Sequence, residues 1–539
     1  RERRYKIGLW ARSFSGRTFP AGDQIFEYWL YENYRTQGRS DQESIVEMIQ
    51  NALPLVPPKP SWPEKTTTWT DFSERCLNDM MRKDWSWVKV GGLEGFRSYV
   101  KDTARAWQDV FPERNFSEAG KPGIFETLDV LHPLILYSKL PPNGDWGNVV
   151  KKLASTVEKL YSERRLEGRA IDVWPYLYGI NRLWWFSFLS GNKDILEGVM
   201  SDMRRSTKLA KNTSYLFPLF FDSESMDRSM SGTNLASGGL YAYNMMLGNK
   251  FTGNADMLEE AKAALDVLYH APEEKLFHEP MELAFGALAS CLVQRITGEE
   301  RFLEIMKYLL CQELRMFYWY RESSLPSSKF YDTRGMVQAC ASVLYPAMFE
   351  NVISILPWTM IFKGSEPSET LLRFINLQRA HDFYMFPACL PDEAKFKHKD
   401  PCDYIPFENL QLLEAEEQTG YLGKQIYGAG ETLWLYLMFE ALANAEDREM
   451  LVMNLDCLDP DSAAGYPPEN RTFLVYNPID ERKEVLVRVP YLAGKHYHFS
   501  FGKTGAGQFE GDLTGQQLSE GINALLNPRD WAYLRITKG

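Results

Sequence analysis

Two kinds of helical stretch alternate along this chain, and the alternation limits what it can fold into. Met336 to Phe349, Leu235 to Gly248, Leu283 to Val293 and Thr432 to Phe439 contain no Asp, Glu, Lys or Arg. The stretches between them are striped. In Asp256 to Tyr269, the residues Leu258, Ala261, Leu265 and Leu268 make one face, and Glu259, Glu260, Lys262 and Asp266 make the other. Asn148 to Arg164, Asp194 to Lys211 and Arg301 to Leu314 have the same pattern. A helix that is apolar all round must be enclosed, whereas a striped one is half exposed. Alternation of the two predicts an inner ring of helices inside an outer one: a mainly α toroid of six or seven helical hairpins.

The pattern places inner-helix starts near Asp71, Glu126, Asp172, Asn234, Glu279, Asp332 and Glu431, in successive steps of 55, 46, 62, 45, 53 and 99 residues. Most steps suit one hairpin. The last is lengthened by a proline-rich, charged insertion, 382–424, expected to act as a lid. The steps are too irregular for an ankyrin or tetratricopeptide array, whose periods stay near about 34 residues. Residues 1–68 read as an irregular segment packed on the body, ending in a proline-rich strip that cannot be helical. The toroid then spans 69–455. From 456 to 539 the period becomes that of short strands (Phe473-Leu-Val-Tyr, Glu484-Val-Leu-Val-Arg-Val, His496-Tyr-His-Phe, Trp531-Ala-Tyr-Leu-Arg-Ile), which predicts a small antiparallel β-sandwich.

The net charge of −12 weighs against a nucleic-acid partner. No run reaches the roughly 18 apolar residues of a membrane span. The basic residues after Arg1 lead into no apolar run of the signal-peptide kind, and the seven cysteines are scattered and read as buried and reduced. Both point to a soluble, cytoplasmic chain. No Cys/His spacing suits a metal, and neither a phosphate loop nor GxSxG occurs, so no metal or cofactor is expected. The oligomeric state is left open.

In a closed ring every inner helix starts at one mouth, which would gather residues far apart in sequence. The starts supply Glu126, Asp172, Asn234, His278, Asp332, Arg334, Tyr427 and Glu431, with Trp174 and Tyr241 near the same level and Glu408 on the insertion. Each has a plainer meaning: acids and Asn at helix starts cap helices, and Arg334 beside Asp332 makes an ion pair. Three spots exceed what capping needs. They are Tyr331-Asp332-Thr333-Arg334, Tyr427-Gly-Ala-Gly-Glu431, and Ser231-Gly-Thr-Asn234 with Gly238-Gly-Leu-Tyr241. Carboxylates among flat aromatic faces suit a sugar, whose rings stack and whose hydroxyls bond to carboxylates.

From Trp69 to about Ala445, with the β tail, this organisation resembles the (α/α) toroid carbohydrate-active enzymes: glycoside hydrolases, polysaccharide lyases and uronosyl epimerases. The resemblance is architectural and transfers no catalytic residue. It implies an oligo- or polysaccharide substrate at the mouth. Glycoside hydrolysis is the leading expectation, with Asp332 and Glu431 as the carboxylate pair and Glu408 as the first substitute. Glu126, Asp172, Trp174, Asn234, Tyr241, His278, Arg334 and Tyr427 would hold the substrate. The alternatives are a lyase or epimerase using Tyr241 or His278 as base with Arg334 on a uronate, and a non-catalytic glycan-binding or scaffold protein.

Overall fold

The computed structural model describes residues 40–52, 55–101, 122–164, 170–272, 275–276, 279–321, 330–340, 345–391, 400–408, 423–503 and 506–539. Residues 41–539 form one compact unit. The helical body of this unit opens with α1 (Asp41–Asn51) and α2 (Trp69–Met80). Five hairpins come next: α3 (Ile124–Ser138) with α4 (Gly147–Glu163), α5 (Val173–Ser190) with α6 (Lys193–Asn212), α7 (Ser237–Thr252) with α8 (Ala255–Tyr269), α9 (Pro280–Thr297) with α10 (Arg301–Leu314), and α11 (Met348–Gly364) with α12 (Glu369–His381). The body ends in α13 (Ile426–Phe439).

The first helix of each hairpin is enclosed. Of the 18 residues of α5, 14 are buried, whereas α4 buries only Leu153, Thr156 and Val157. This is the division that charge patterning predicts. The inner helices pack in the order α3, α5, α7, α9, α11, α13, and α13 returns to α3, so the ring closes. With no helix to follow it, α13 takes its outer partner from the other end of the body: α2 packs on it, and the Cys76 thiol donates to the Ala429 carbonyl at 3.4 Å.

The ring therefore has six inner helices, and three details of the sequence reading need correction. Asp71 begins an outer helix, not an inner one; Thr70, Glu74, Arg75 and Asn78 on α2 are exposed. Residues 336–340 and 345–347 are not helical. The backbone of 336–338 runs beside 316–318, with Tyr318 N–H donating to Met336 O at 2.8 Å and Gln338 N–H to Met316 O at 3.0 Å, and the inner helix starts only after Pro346. Proline restricts the residue before it to extended conformations, so it marks a natural helix boundary. The segment 1–68 contains helix α1, and its strip from Val56 to Trp62 lies along α12. There Arg373 and Asn376 donate to the carbonyls of Val56 (2.7 Å) and Pro58 (3.3 Å). That cover explains why α12, an outer helix, is almost wholly buried.

Close inner-helix crossings account for two glycines of the sequence motifs. A Cβ on Gly239 would strike the Glu282 carbonyl and come within 2.8 Å of Gly286 Cα. One on Gly430 would lie 2.8 Å from Val130 Cγ2. Both serve backbone approach between neighbouring helices.

A short hairpin, β1 (Trp87–Val90) with β2 (Leu93–Phe96), and a two-stranded antiparallel pair, β3 (Ala170–Asp172) with β4 (Phe220–Asp222), lie between the helices. The C-terminal region holds β5 (Asn444–Ala445), β6 (Leu451–Asn454), β7 (Arg471–Tyr476), β8 (Lys483–Arg488), β9 (His496–Lys503), β10 (Ala506–Thr514), β11 (Ile522–Leu526) and β12 (Trp531–Lys538). They form two antiparallel sheets, β10-β9-β12-β7-β6 and β11-β8-β5. Alternating burial along β11 marks one face as core. The sandwich sits at the C-terminal ends of the inner helices, where Tyr533 donates to Phe362 O at 2.8 Å and Lys363 pairs with Asp456 and Asp459. The opposite end of the ring is left to the helix N-termini. No helix among the described residues is long and apolar enough to cross a membrane.

Candidate active site at the axial mouth

Four of the six outer helices start on a side-chain cap, and α4 and α10 do not. Thr68, Asn192, Asn254 and Ser368 cap α2, α6, α8 and α12 with their side chains. None of the six inner helices has a side-chain cap, although Asp172 and Glu279 occupy the cap positions of α5 and α9. Crossing backbone supplies partners instead: Val173 N–H donates to Leu219 O at 3.1 Å, and Ile426 N–H to Ser98 O at 2.9 Å. The acids at this end of the ring are thus not spent on capping.

Equivalent positions on the inner helices build layers down the axis. The second residue of four helices is aromatic: Phe125, Trp174, Phe349 and Tyr427. Their centroids converge, with Phe125 at 5.9 Å from Trp174, 6.0 Å from Phe349 and 6.1 Å from Tyr427. The third residue is a glutamate on α3 (Glu126), α9 (Glu282) and α11 (Glu350). One turn deeper lie Asp129, Tyr178 and Glu431, where the Tyr178 hydroxyl donates to Asp129 at 2.5 Å. Deeper again, Arg182 lies 3.8 Å from Asp129 and donates to His132 Nδ1 at 3.0 Å, while His132 stacks on Trp185 at 4.7 Å and meets the edge of Trp434 at 4.8 Å. Because arginine only donates, His132 must carry its proton on Nε2. The spacings 125/129/132, 174/178/182 and 427/431/434 each keep one helix face on the axis.

Burial sets the protonation of this column. It drives the Glu431 carboxyl well above the usual carboxylate range, and the adjacent Asp129 charge adds to the effect, so the pair holds a proton on Glu431. Burial likewise pushes Glu350 up to about 8, with help from Glu408 and Asp129. Glu350 is half-buried, with carboxyl oxygen Oε2 enclosed. His132 is pulled well below its ordinary value by burial, then by Arg182, so it stays neutral.

The insertion reaches this mouth. Residues 406–408 pair with 423–425, Gln425 N–H donating to Pro406 O and Glu408 N–H to Gly423 O, both at 2.9 Å. Glu408 then accepts from the Tyr345 hydroxyl at 3.3 Å, and Tyr427 meets Tyr99 hydroxyl to hydroxyl at 3.4 Å. Stretches 392–399 and 409–422 of the insertion lie outside the described residues.

The expected site residues divide accordingly. Glu408, Glu431, Tyr427 and Trp174 come together at the axis. Glu126 lies at the same level, accepting from Ser98 at 2.5 Å. Asp172 and Asn234 gather round Glu282, which accepts from Asn234 at 3.1 Å and from Ser237, and which burial, then the Asp172 charge, raises to about 8. His278 lies outside the described residues. Tyr241 faces away, donating to Glu260 at 3.1 Å on outer helix α8. Asp332 and Arg334 form a separate cluster. Arg334 Nε and Nη2 clamp Asp332 at 3.0 and 2.5 Å, Ser61 donates to Asp332 at 2.9 Å, and Ser61 N–H donates to His381 Nε2 at 3.1 Å. Burial opposes its charge, but the Arg334 bonds and His381 outweigh it, holding Asp332 down at about 2. Asp332 is therefore a fixed anion tying down the 56–62 strip, and its interacting groups differ from those of Glu431. Expecting the two to meet rested on the helix misplaced at Met336.

Asp129, Arg182, Glu282 and Glu350 were missed. The signal was present: each is one of at most two charges in a helix that is otherwise apolar or uncharged. No group of three or more His, Cys, Asp or Glu placed to hold a metal ion occurs among the described residues.

No protein-family model matches the chain, and no curated protein matches it. Among solved structures it is similar to a family 76 glycoside hydrolase from a bovine Bacteroides thetaiotaomicron strain (9% identity, 69% of this chain and 77% of that one, TM-score 0.44). It is also similar to a family 76 α-1,6-mannanase of a Salegentibacter species (10%, 68% and 98%, 0.43). A third is the cellobiose 2-epimerase of Bacillus thermoamylovorans (8%, 73% and 100%, 0.43). These likenesses are too remote to transfer any chemistry; the closed ring of six inner helices is read from the chain's own packing.

Proposed function

We propose that this chain is a carbohydrate-active enzyme of the glycoside hydrolase kind, working at the axial mouth with Glu350 as proton donor and Glu408 as the ionised partner. What supports the reading is Glu350, whose carboxyl burial and the Glu408 charge raise to about 8, standing next to the aromatic layer of Phe125, Phe349 and Tyr427. A glycosidase needs such a pair, with burial keeping one member protonated at neutral pH and the other ionised to activate water or attack the sugar. The Asp129 charge beneath them helps to raise Glu350. Asp332 no longer suits the role of acid, since an aspartate held at about 2 has no proton to give. The lyase reading loses support, because Tyr241 is bonded to an outer helix and Arg334 is engaged by Asp332. The insertion carrying Glu408 would serve as a lid over the mouth.

The experiment is a panel of neutral and uronate-containing glycans, followed by reducing ends and by the ultraviolet absorbance of unsaturated products. Glu350→Gln and Glu408→Gln should each lower hydrolysis by about 10²–10⁴-fold while binding survives. Full activity in both variants would refute the assignment, and an unsaturated product would replace hydrolysis by elimination.

A further inference from the structure

A cavity of about 520 Å³ lies away from the mouth, where the ring meets the sandwich, between the 62–70 stretch, the end of α12, the end of α13 and strands β5 and β6. Trp62, Trp69, Phe383 and Phe439 supply aromatic walls. The acids lining it are answered. Glu440 accepts from the N–H groups of Trp69 (2.9 Å) and Thr70 (2.7 Å) at the start of α2. Asp447 pairs with Lys483 at 2.8 Å, and Glu446 pairs with Arg488. The two arginines are not answered. Arg379 and Arg448 each hold the guanidinium carbon 5.3 Å from the centre of the Trp62 ring, and neither makes an ion pair among the described residues. Arg379 is only 7% exposed and donates to neutral oxygens alone: Met450 O at 2.9 Å, and Asn376 Oδ1 and Arg448 O at 2.8 Å. Burial lowers it to about 10, while Glu440, Glu449 and Asp447 favour its charge from beyond contact, so it is a cation at neutral pH. Arg379 Nε, Trp62 Nε1 and Thr66 Oγ1 have no hydrogen-bond partner among the described residues.

We infer that this cavity binds a small organic acid, whose carboxylate or phosphate oxygens meet the arginines and the Trp62 indole while its body packs on the aromatic walls. Guanidinium and indole N–H groups can only donate, so the ligand they select must accept. Charge narrows the choice further. A buried guanidinium with no carboxylate in contact is costly, and an anion drawn in beside it offsets that cost. A cation would meet two guanidinium groups instead. Arg448 is exposed, which leaves it free to meet a ligand arriving from solvent. The volume falls in the range of about 300–1,000 Å³ usual for organic ligands and exceeds what an inorganic ion fills. This site is independent of the mouth and of any reaction there.

Titration calorimetry of the whole chain with benzoate, phenyl phosphate, benzamide and benzylamine, at neutral pH and low salt, tests this. At least one of the two anions should bind about tenfold or more tightly than neutral benzamide, and benzylamine should not bind. The tighter of the two anions tells a carboxylate site from a phosphate site. Arg448→Ala should weaken that anion by about tenfold, and Arg448→Lys should restore part of the loss. Trp62→Phe keeps a ring and removes Nε1, so it should weaken the anion several-fold. If one variant fails to fold, the other decides the matter. Benzamide binding as tightly as the anions would overturn the inference, as would no anion binding at millimolar concentration, or anion affinity unchanged in the folded variants. Inorganic phosphate binding as tightly as phenyl phosphate would overturn the organic body and leave an ion site only.

Discussion

Replacing Glu282 with glutamine should change how the stability of this protein depends on pH. Glu282 is fully buried at the crossing of α7 and α9, where one oxygen accepts from Asn234 and Ser237 and the other has no partner. Its carboxyl titrates at about 8 when folded against an ordinary 4.5. Between those values the folded state keeps a proton that the unfolded state has released, so stability falls as pH rises through the window and levels off above it. At about 1.4 kcal/mol per unit, the shift sets a ceiling of roughly 5 kcal/mol on the loss. Glutamine presents the same carbonyl to Asn234 and Ser237 and never ionises. Below the window the two proteins should differ by about 1 kcal/mol or less. Above it, Glu282→Gln should be the more stable by several kcal/mol. Urea unfolding at acid, neutral and alkaline pH measures the difference and cancels every other titrating group. A difference that stays constant with pH would refute the claim that Glu282 is protonated in the fold.

Gly239→Ala should push α7 and α9 apart and cost about 1–3 kcal/mol, read as a lower melting temperature; no change would mean the crossing is looser than 2.8 Å implies. Leu288→Ala on α9 and Leu268→Ala on α8 should each cost roughly 2–5 kcal/mol, since both side chains are buried despite lying in different rings; a negligible loss at Leu268 would contradict the packing of α8. Asp332→Asn should leave hydrolysis within about threefold while lowering stability by about 1–3 kcal/mol, because it removes a charged hydrogen-bond acceptor that ties down the 56–62 strip; abolished turnover would return Asp332 to the chemistry. The pH–rate profile should be bell-shaped, with an alkaline limb near 8 from Glu350 that Glu350→Gln removes; a limb unchanged in that variant would point to another acid.

Charge placement along the chain was enough to determine the architecture. Helices without charge cannot face water, and striped ones cannot be enclosed, so two rings followed from α5, α7, α9 and α13 against α4, α6, α8 and α10. The change to short strand-like runs after Leu458 likewise determined the β-sandwich, because β8 and β9 alternate as half-buried strands do, while β7 and β12 read as short, mostly apolar runs. Where the mouth's chemistry lies was decided by tertiary structure. Uncharged residues 336–347 fit a buried helix by composition, yet residues 336–338 pair with 316–318 and the inner helix starts only at Met348, after Pro346, which leaves Asp332 outside the helix and puts Glu350 in its first turn. Tyr241 and Tyr427 look alike in sequence, each following glycine-rich or helix-start residues, but helix rotation turned one outward to Glu260 and the other onto Phe125 and Phe349. Asp129, Glu431 and Arg182 meet only because α3, α5 and α13 are neighbours in a closed ring. Sequence distance carries no trace of that closure, which arises when the last inner helix finds its partners in α2 and α3.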